Sequence, residues 1–152
     1  MTAEAAAPSI IDFTPTLLVV DDEAYICTAL KRIFERANVT VHTAFSAEEG
    51  LERLAEVDAQ VVVSDFMMPG HDGAWFLSQV RARWPRIQRI LLTAGGRAQV
   101  DDLQRAINDG GVQRFLTKPW SNEGLVATVR ECFDQWRALA ERDRLLELLE
   151  ET

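Results

Sequence analysis

Two cysteines among 152 residues are too few for a disulfide framework, and nothing around them suggests a zinc site. Cys27 and Cys132 each lie among apolar residues in a helical pattern, the setting of reduced core thiols. No apolar run approaches the roughly 20 residues of a membrane span. The opening MTAEAAAPSIIDFTPT has neither a basic start nor a long apolar centre, so it does not read as a signal peptide, and a cytoplasmic location is expected. Basic residues are also scarce: sixteen Lys and Arg face twenty-four Asp and Glu, a net charge of −8. Phosphates would be repelled, which argues against non-specific nucleic-acid binding by the folded body. The same excess leaves room for a metal cation or a basic partner. Internal repeats are absent, and neither Gly nor Pro occurs after Gly124.

Apolar residues, at 47%, are sufficient for one domain with a sizeable core. Residues 1–15, rich in Ala and Pro, read as a flexible tail. Short apolar runs then alternate with helical patterns. The runs are 16–20, 39–44, 59–64, 89–93 and 114–117. Three of them are almost wholly aliphatic, as strands covered on both faces require. Helices are expected at 24–37, 46–56, 72–84, 99–109 and from 121 onward. The first carries a stripe of Ile26, Leu30, Ile33, Phe34 and Ala37. Ser46 with Glu49 has the form of a capping box, Pro85 stops the third helix and Gly110-Gly111 the fourth. Five strands alternating with five helices imply an α/β, doubly wound parallel sheet. Ligands of such sheets bind at the carboxyl ends of the strands.

Chemistry is concentrated at those ends. Asp21, Asp22 and Glu23 follow the first strand, Asp65 the third, Thr93 and Ala94 the fourth, and Lys118-Pro119 the fifth. Taken alone, Asp-Asp-Glu reads better as a helix N-cap with acids in its first turn. A lone Asp before MMPG reads as a turn residue. Together they place carboxylates, a hydroxyl and an ammonium in one cleft of a parallel sheet. Clustered carboxylates need a counter-charge, and Mg²⁺ takes a few carboxylates plus waters and phosphate oxygens. A carboxylate so placed can attack phosphorus and become an aspartyl phosphate. Lys118, the Thr93 hydroxyl and the Ala94 N–H could then stabilise the phosphoryl oxygens.

The motifs LLVVDDE (17–23), VVVSDFMMPGHDG (61–73), ILLTAGG (90–96) and FLTKPW (115–120) resemble the receiver domain of two-component response regulators, over roughly residues 16–135. The resemblance implies a flavodoxin-like fold and a phosphorylation-dependent signalling switch rather than a metabolic enzyme. It implies Asp65 as phosphoacceptor, and Asp22 as a direct Mg²⁺ ligand supported by Asp21. The Met67 backbone carbonyl completes the ligand set. Thr93 is implied as the switch hydroxyl, Lys118 as its paired lysine before a cis Pro119, and Phe115 as an aromatic switch that swings inward. The implied donor is a histidine kinase or phosphotransfer protein. Met67 and Gly95 flank the path of the hydrolytic water and bear no acid or amide, so self-dephosphorylation is expected to be unassisted there. The Gly95-Gly96 pair suggests a pliable loop. His42 lies on the second strand away from the site; His71 follows the acceptor and could approach the cleft mouth.

The last helix is expected to outrun the domain, giving a receiver at 16–136 and a helical extension at 137–152. Leu139, Leu145, Leu146, Leu148 and Leu149 lie among charges there, and an isolated helix with exposed leucines is marginal. A short coiled coil with a second copy is expected, with an imperfect register at Asp143 and Glu150. This stretch also resembles the linker helix between a receiver and an output module. Two other readings stay open. One is a degenerate receiver that binds a partner without phosphorylation. The other is a phosphohydrolase with Asp65 as nucleophile, against which stands Met67 where such enzymes place a second aspartate.

Overall fold

The computed structural model describes residues 12–94 and 100–151. Five strands and five helices alternate: β1 Thr16–Val20, α1 Ala24–Arg36, β2 Thr40–Ala44, α2 Ala47–Glu56, β3 Val61–Asp65, α3 Gly73–Arg83, β4 Gln88–Thr93, α4 Val100–Gly110, β5 Arg114–Thr117 and α5 Asn122–Glu150. The sheet is parallel throughout, in the order β2-β1-β3-β4-β5. The chain leaves β1 toward β2 and returns to β3 on the other side, so the topological switch lies between β1 and β3. The described helices include none long and apolar enough to cross a membrane.

The aliphatic runs are explained by burial on both faces. Leu17, Val19, Val61, Val63, Ile90 and Leu92 join one core with Leu30 and Phe34 of α1 and Leu125, Val129 and Phe133 of α5. Leu18, Val20, Val62 and Leu91 join the other with Leu54 of α2, Phe76, Leu77 and Val80 of α3 and Ala106 of α4. Alternation along the strands is therefore between two apolar cores and not between core and water. Cys27 and Cys132 are buried free thiols in the first core, and burial pushes both up to about 11.

The helix starts follow their capping residues. Ser46 Oγ accepts from Glu49 N at 3.1 Å, and Asp72 Oδ1 accepts from Trp75 N at 2.9 Å. The Glu49 carboxylate reaches back to the Phe45 N–H, one residue before the one a capping box engages. By contrast, α1 has no side-chain cap. Glu23, and not Asp21 or Asp22, occupies the N-cap position.

Residues 12–15 were expected to end a tail, yet they touch the domain. Phe13 packs on Phe133 and on Trp136, with ring centroids 6.3 and 4.7 Å apart, and Thr40 N donates to Pro15 O at 2.9 Å. Residues 1–11 of the expected tail lie outside the described part. Helix α5, 29 residues and about 43 Å long, runs from the carboxyl edge of the sheet past its amino edge. Contact with the domain continues beyond the expected boundary at 136. Arg86, just before β4, lies over the Trp136 ring at 5.7 Å and pairs with Asp143 at 3.5 Å. Past that point Leu145, Leu146, Leu148 and Leu149 are all exposed. Replacing Phe13 with Ala is expected to lower the unfolding free energy by about 1–2 kcal/mol, because its aromatic contacts tie residues 12–15 to α5. Urea unfolding of Phe13→Ala with an unchanged midpoint would show that these contacts carry no stability.

Candidate functional site

The acidic residues are held by the sheet itself. Asp21 N donates to Ala44 O at 3.1 Å, extending the β1–β2 pairing one residue past the strand. Asp65 is the last residue of β3 and sits opposite Leu92 of β4, and the following Phe66 N donates to Leu92 O at 3.1 Å. Lys118 N donates to Thr93 O at 2.8 Å, which anchors the end of β5 to the end of β4. The Lys118–Pro119 bond is cis, as expected.

Asp21, Asp65 and Thr93 are buried, whereas Asp22 is exposed. One carboxylate oxygen from each of Asp21, Asp22 and Asp65 lies within 4.8 Å of the others. Lys118 Nζ is 3.1 Å from Asp65 Oδ1, in hydrogen-bond contact, and 3.5 Å from Asp21 Oδ2. The longer pair lacks hydrogen-bond geometry, so Asp21 Oδ2 is buried without a hydrogen-bond partner. Asp21 Oδ1 accepts from Glu23 N at 2.9 Å.

Among the described residues, one ammonium among three carboxylates leaves two negative charges in excess. Like charges this close repel by roughly 3–4 kcal/mol per pair at the effective dielectric of a half-buried site. The titration directions agree. Burial raises Asp21, assisted by Asp65 and Asp22 and opposed by the Glu23 amide and Lys118. Burial likewise raises Asp65, and Lys118 only partly restores it. Burial pulls Lys118 down, but Asp65 and Asp21 outweigh it, and the ammonium is held more firmly than usual. The raised acids and the raised lysine are compatible, because one cation is shared between two acids. Oxygen-only donors, a buried oxygen without a hydrogen bond and a surplus of negative charge among the described residues fit a hard divalent cation.

Other expected residues are placed plainly. The Met67 side chain is 63% exposed. Phe115 is 48% exposed on the edge strand β5, so its ring stands outward. His71 stacks on Trp75 at 3.6 Å, in a groove between α3 and α4. His42 lines a cleft of about 810 Å³ at the amino edge of the sheet, away from the acids. The Gly95-Gly96 loop lies outside the described residues.

Three residues contact the backbone of the acidic site without having been read from the sequence as part of it. Ser64 Oγ donates to Asp65 O at 2.8 Å, and Cys27 Sγ donates to Asp21 O at 3.4 Å. Gly73 N donates to Phe66 O at 2.8 Å. A Cβ on Gly73 would lie 2.9 Å from Phe66 Cα and closer still to the Asp65 carbonyl. The DG pair at 72–73 carried that signal, but it reads first as a helix start.

A sequence model described as the response regulator receiver domain matches residues 17–130. The chain belongs to the response regulator receiver family. It is 36% identical over 123 residues to the hydrogenase transcriptional regulatory protein HoxA of Cupriavidus necator, covering 81% of this chain and 25% of that one. Identity to the DNA-binding transcriptional regulator NtrC of Escherichia coli is 33% over 121 residues, covering 78% and 25%. The chain thus spans about a quarter of the length of these curated relatives. A signal receiver domain of an HD domain-containing protein from Pseudomonas fluorescens superposes with a TM-score of 0.82 at 28% identity, covering 91% of this chain and 98% of that one.

Asp21→Asn keeps an acceptor for the Glu23 N–H and removes one buried charge. Because burial raises Asp21 above the ordinary 3.8, the folded chain holds a proton there that the unfolded chain has lost. Wild-type stability therefore falls as pH rises from 3.8 through the raised value. The variant is expected to be more stable than the wild type at pH 7. The difference should shrink toward pH 4 in urea titrations, and a pH-independent difference would contradict the assignment.

Proposed function

We propose that this domain is a phosphorylation-dependent signalling switch that accepts a phosphoryl group on Asp65. The observation that carries the reading is the shared ammonium: Lys118 Nζ lies between Asp65 and Asp21 at the carboxyl edge of the sheet. The donor is a histidine kinase or a phosphotransfer protein. An Asp65 carboxylate oxygen forms the new P–O bond while the P–N bond of a phosphohistidine breaks. The imidazole leaves with that electron pair and takes its proton from solvent. Lys118, already in contact with Asp65, moves its charge onto the phosphoryl oxygens. The Thr93 hydroxyl donates to one of those oxygens and so draws the end of β4 inward. Phe115 then follows from its outward position.

Mg²⁺ is the cation this reading assigns to Asp21, Asp22, Asp65 and the Met67 carbonyl; when bound it neutralises charge on the transferring group. Met67 supplies no acid to protonate a leaving alcohol, which favours a regulatory domain over a phosphohydrolase. The exposed leucines of α5 favour pairing with a second copy. Intact mass after incubation with a small phosphodonor and Mg²⁺ tests the switch. One phosphoryl group is expected on the wild type and none on Asp65→Asn, with a shift to dimer on a sizing column. If neither the donor nor a stable phosphoryl mimic bound, a phosphorylation-independent binding module would replace the switch.

The donor protein has to cover the cleft. Tyr25, Phe45 and Met67 are exposed apolar residues on the loops and the helix start at that edge, 66%, 49% and 63% accessible. Tyr25→Ala and Phe45→Ala are expected to slow transfer from a protein donor about tenfold, the size of a modest interface hot spot. Transfer from a small phosphodonor should be unchanged. Equal slowing with both donors would place these side chains in the site and not in docking.

A further inference from the structure

Helix α4 packs chiefly against α3. Its carboxyl end is tied down by two arginines. Arg81 Nη1 donates to Asn108 O at 3.1 Å, and Arg89 Nε donates to Gly111 O at 3.1 Å. The chain comes close there: a Cβ on Gly110 would lie 3.2 Å from Leu77 Cβ, and one on Gly111 2.8 Å from Arg81 Cδ. Arg89 is itself buried and also donates from Nη1 to Ile87 O at 2.7 Å, so this anchor is part of the β4 strand end. Two guanidinium groups at a helix carboxyl end also suit its dipole.

Halfway along α4 there is a different kind of tether. Arg105 Nη2 pairs with Asp72 Oδ2, and the Arg105 guanidinium lies over the Phe66 ring at 5.9 Å. Asp72 is the N-cap of α3, and Phe66 directly follows Asp65. A single side chain of α4 therefore grips both ends of the loop that runs from the phosphoacceptor to α3. Unlike the buried Arg89 anchor, this pair is partly exposed, at 48% and 29%. An exposed ion pair of this kind changes an equilibrium by a few-fold only. That size suits a catch that must open, and it would be too weak for a structural staple.

We propose that the Asp72–Arg105 pair is a latch that couples the loop after Asp65 to the position of α4. Closed, it holds α4 in the arrangement in which Phe115 stands outward. Phosphoryl transfer to Asp65 moves the loop, the pair opens, and α4 pivots about its arginine-anchored carboxyl end. The latch rests on the reading of Asp65 given above and adds a route from that site to α4 beside the Thr93 and Phe115 route.

A double-mutant cycle tests it. Asp72→Asn keeps an N-cap acceptor for Trp75 N, because Asn caps as well as Asp, and removes only the charge. Arg105→Gln removes the other partner. With the latch gone, the competing arrangement gains population, and the initial rate of phosphorylation by a small donor is expected to rise about two- to fivefold in each variant. The double variant should rise no further than either single one. Amides of residues 100–110 should exchange faster with deuterium in all three. Variants that match the wild type in rate and exchange, or whose effects multiply, would overturn the latch alone. A wild type that takes up no phosphoryl group would overturn the reading of Asp65 and the latch with it.

Discussion

Everything in this domain is arranged around a charge imbalance. Three carboxylates converge within 4.8 Å at the end of an apolar sheet, and a single ammonium is shared between two of them. Lys118 hydrogen-bonds Asp65 and faces Asp21 Oδ2 at 3.5 Å without a hydrogen bond, so that buried oxygen is left without one. Such a cluster stores unfavourable energy that a cation or a redistribution of negative charge relieves. The core has to supply the stability that the site withdraws. It does so with strands buried on both faces, the arrangement that places the largest number of aliphatic side chains per residue of sheet.

Backbone and not side chain does most of the positioning. Asp21 and Phe66 each make a ladder hydrogen bond just past a strand, and the Asp65 carbonyl receives the Ser64 hydroxyl and lies under Gly73. The carboxylates thus inherit the rigidity of the sheet, whereas their neighbours on the loops are tied by weaker, solvent-facing contacts. Stiff acids beside yielding loops let the carboxylates stay in place while their surroundings move.

Much of this was legible in the sequence, for physical reasons that differ from element to element. Val61, Val62 and Val63 announce a doubly covered strand, and a parallel sheet forces its carboxyl ends into one cleft, so Asp21, Asp65, Thr93 and Lys118 could be gathered from order alone. Phe13 was not legible as part of the domain. Its neighbours are Ala- and Pro-rich, and only the fold brings Trp136 against it. The orientation of Phe115 was also out of reach, because an edge strand leaves a side chain free to face either way. Gly73 was visible as a glycine, but the carbonyl it must clear comes from a residue eight positions earlier. Arg105 reads as one more charge on the polar face of a helix until α4 is set beside the start of α3.

The clasp of Arg86 on Trp136 and Asp143 has a geometric consequence. It fixes the direction in which α5 departs, along the strands and out beyond their amino edge. The leucine-bearing end of the molecule is therefore at the pole opposite the acidic cleft. A protein seated on the cleft and another seated on Leu145 and Leu149 occupy separate hemispheres and do not exclude each other. The two surfaces are thus accessible at the same time, with the sheet between them.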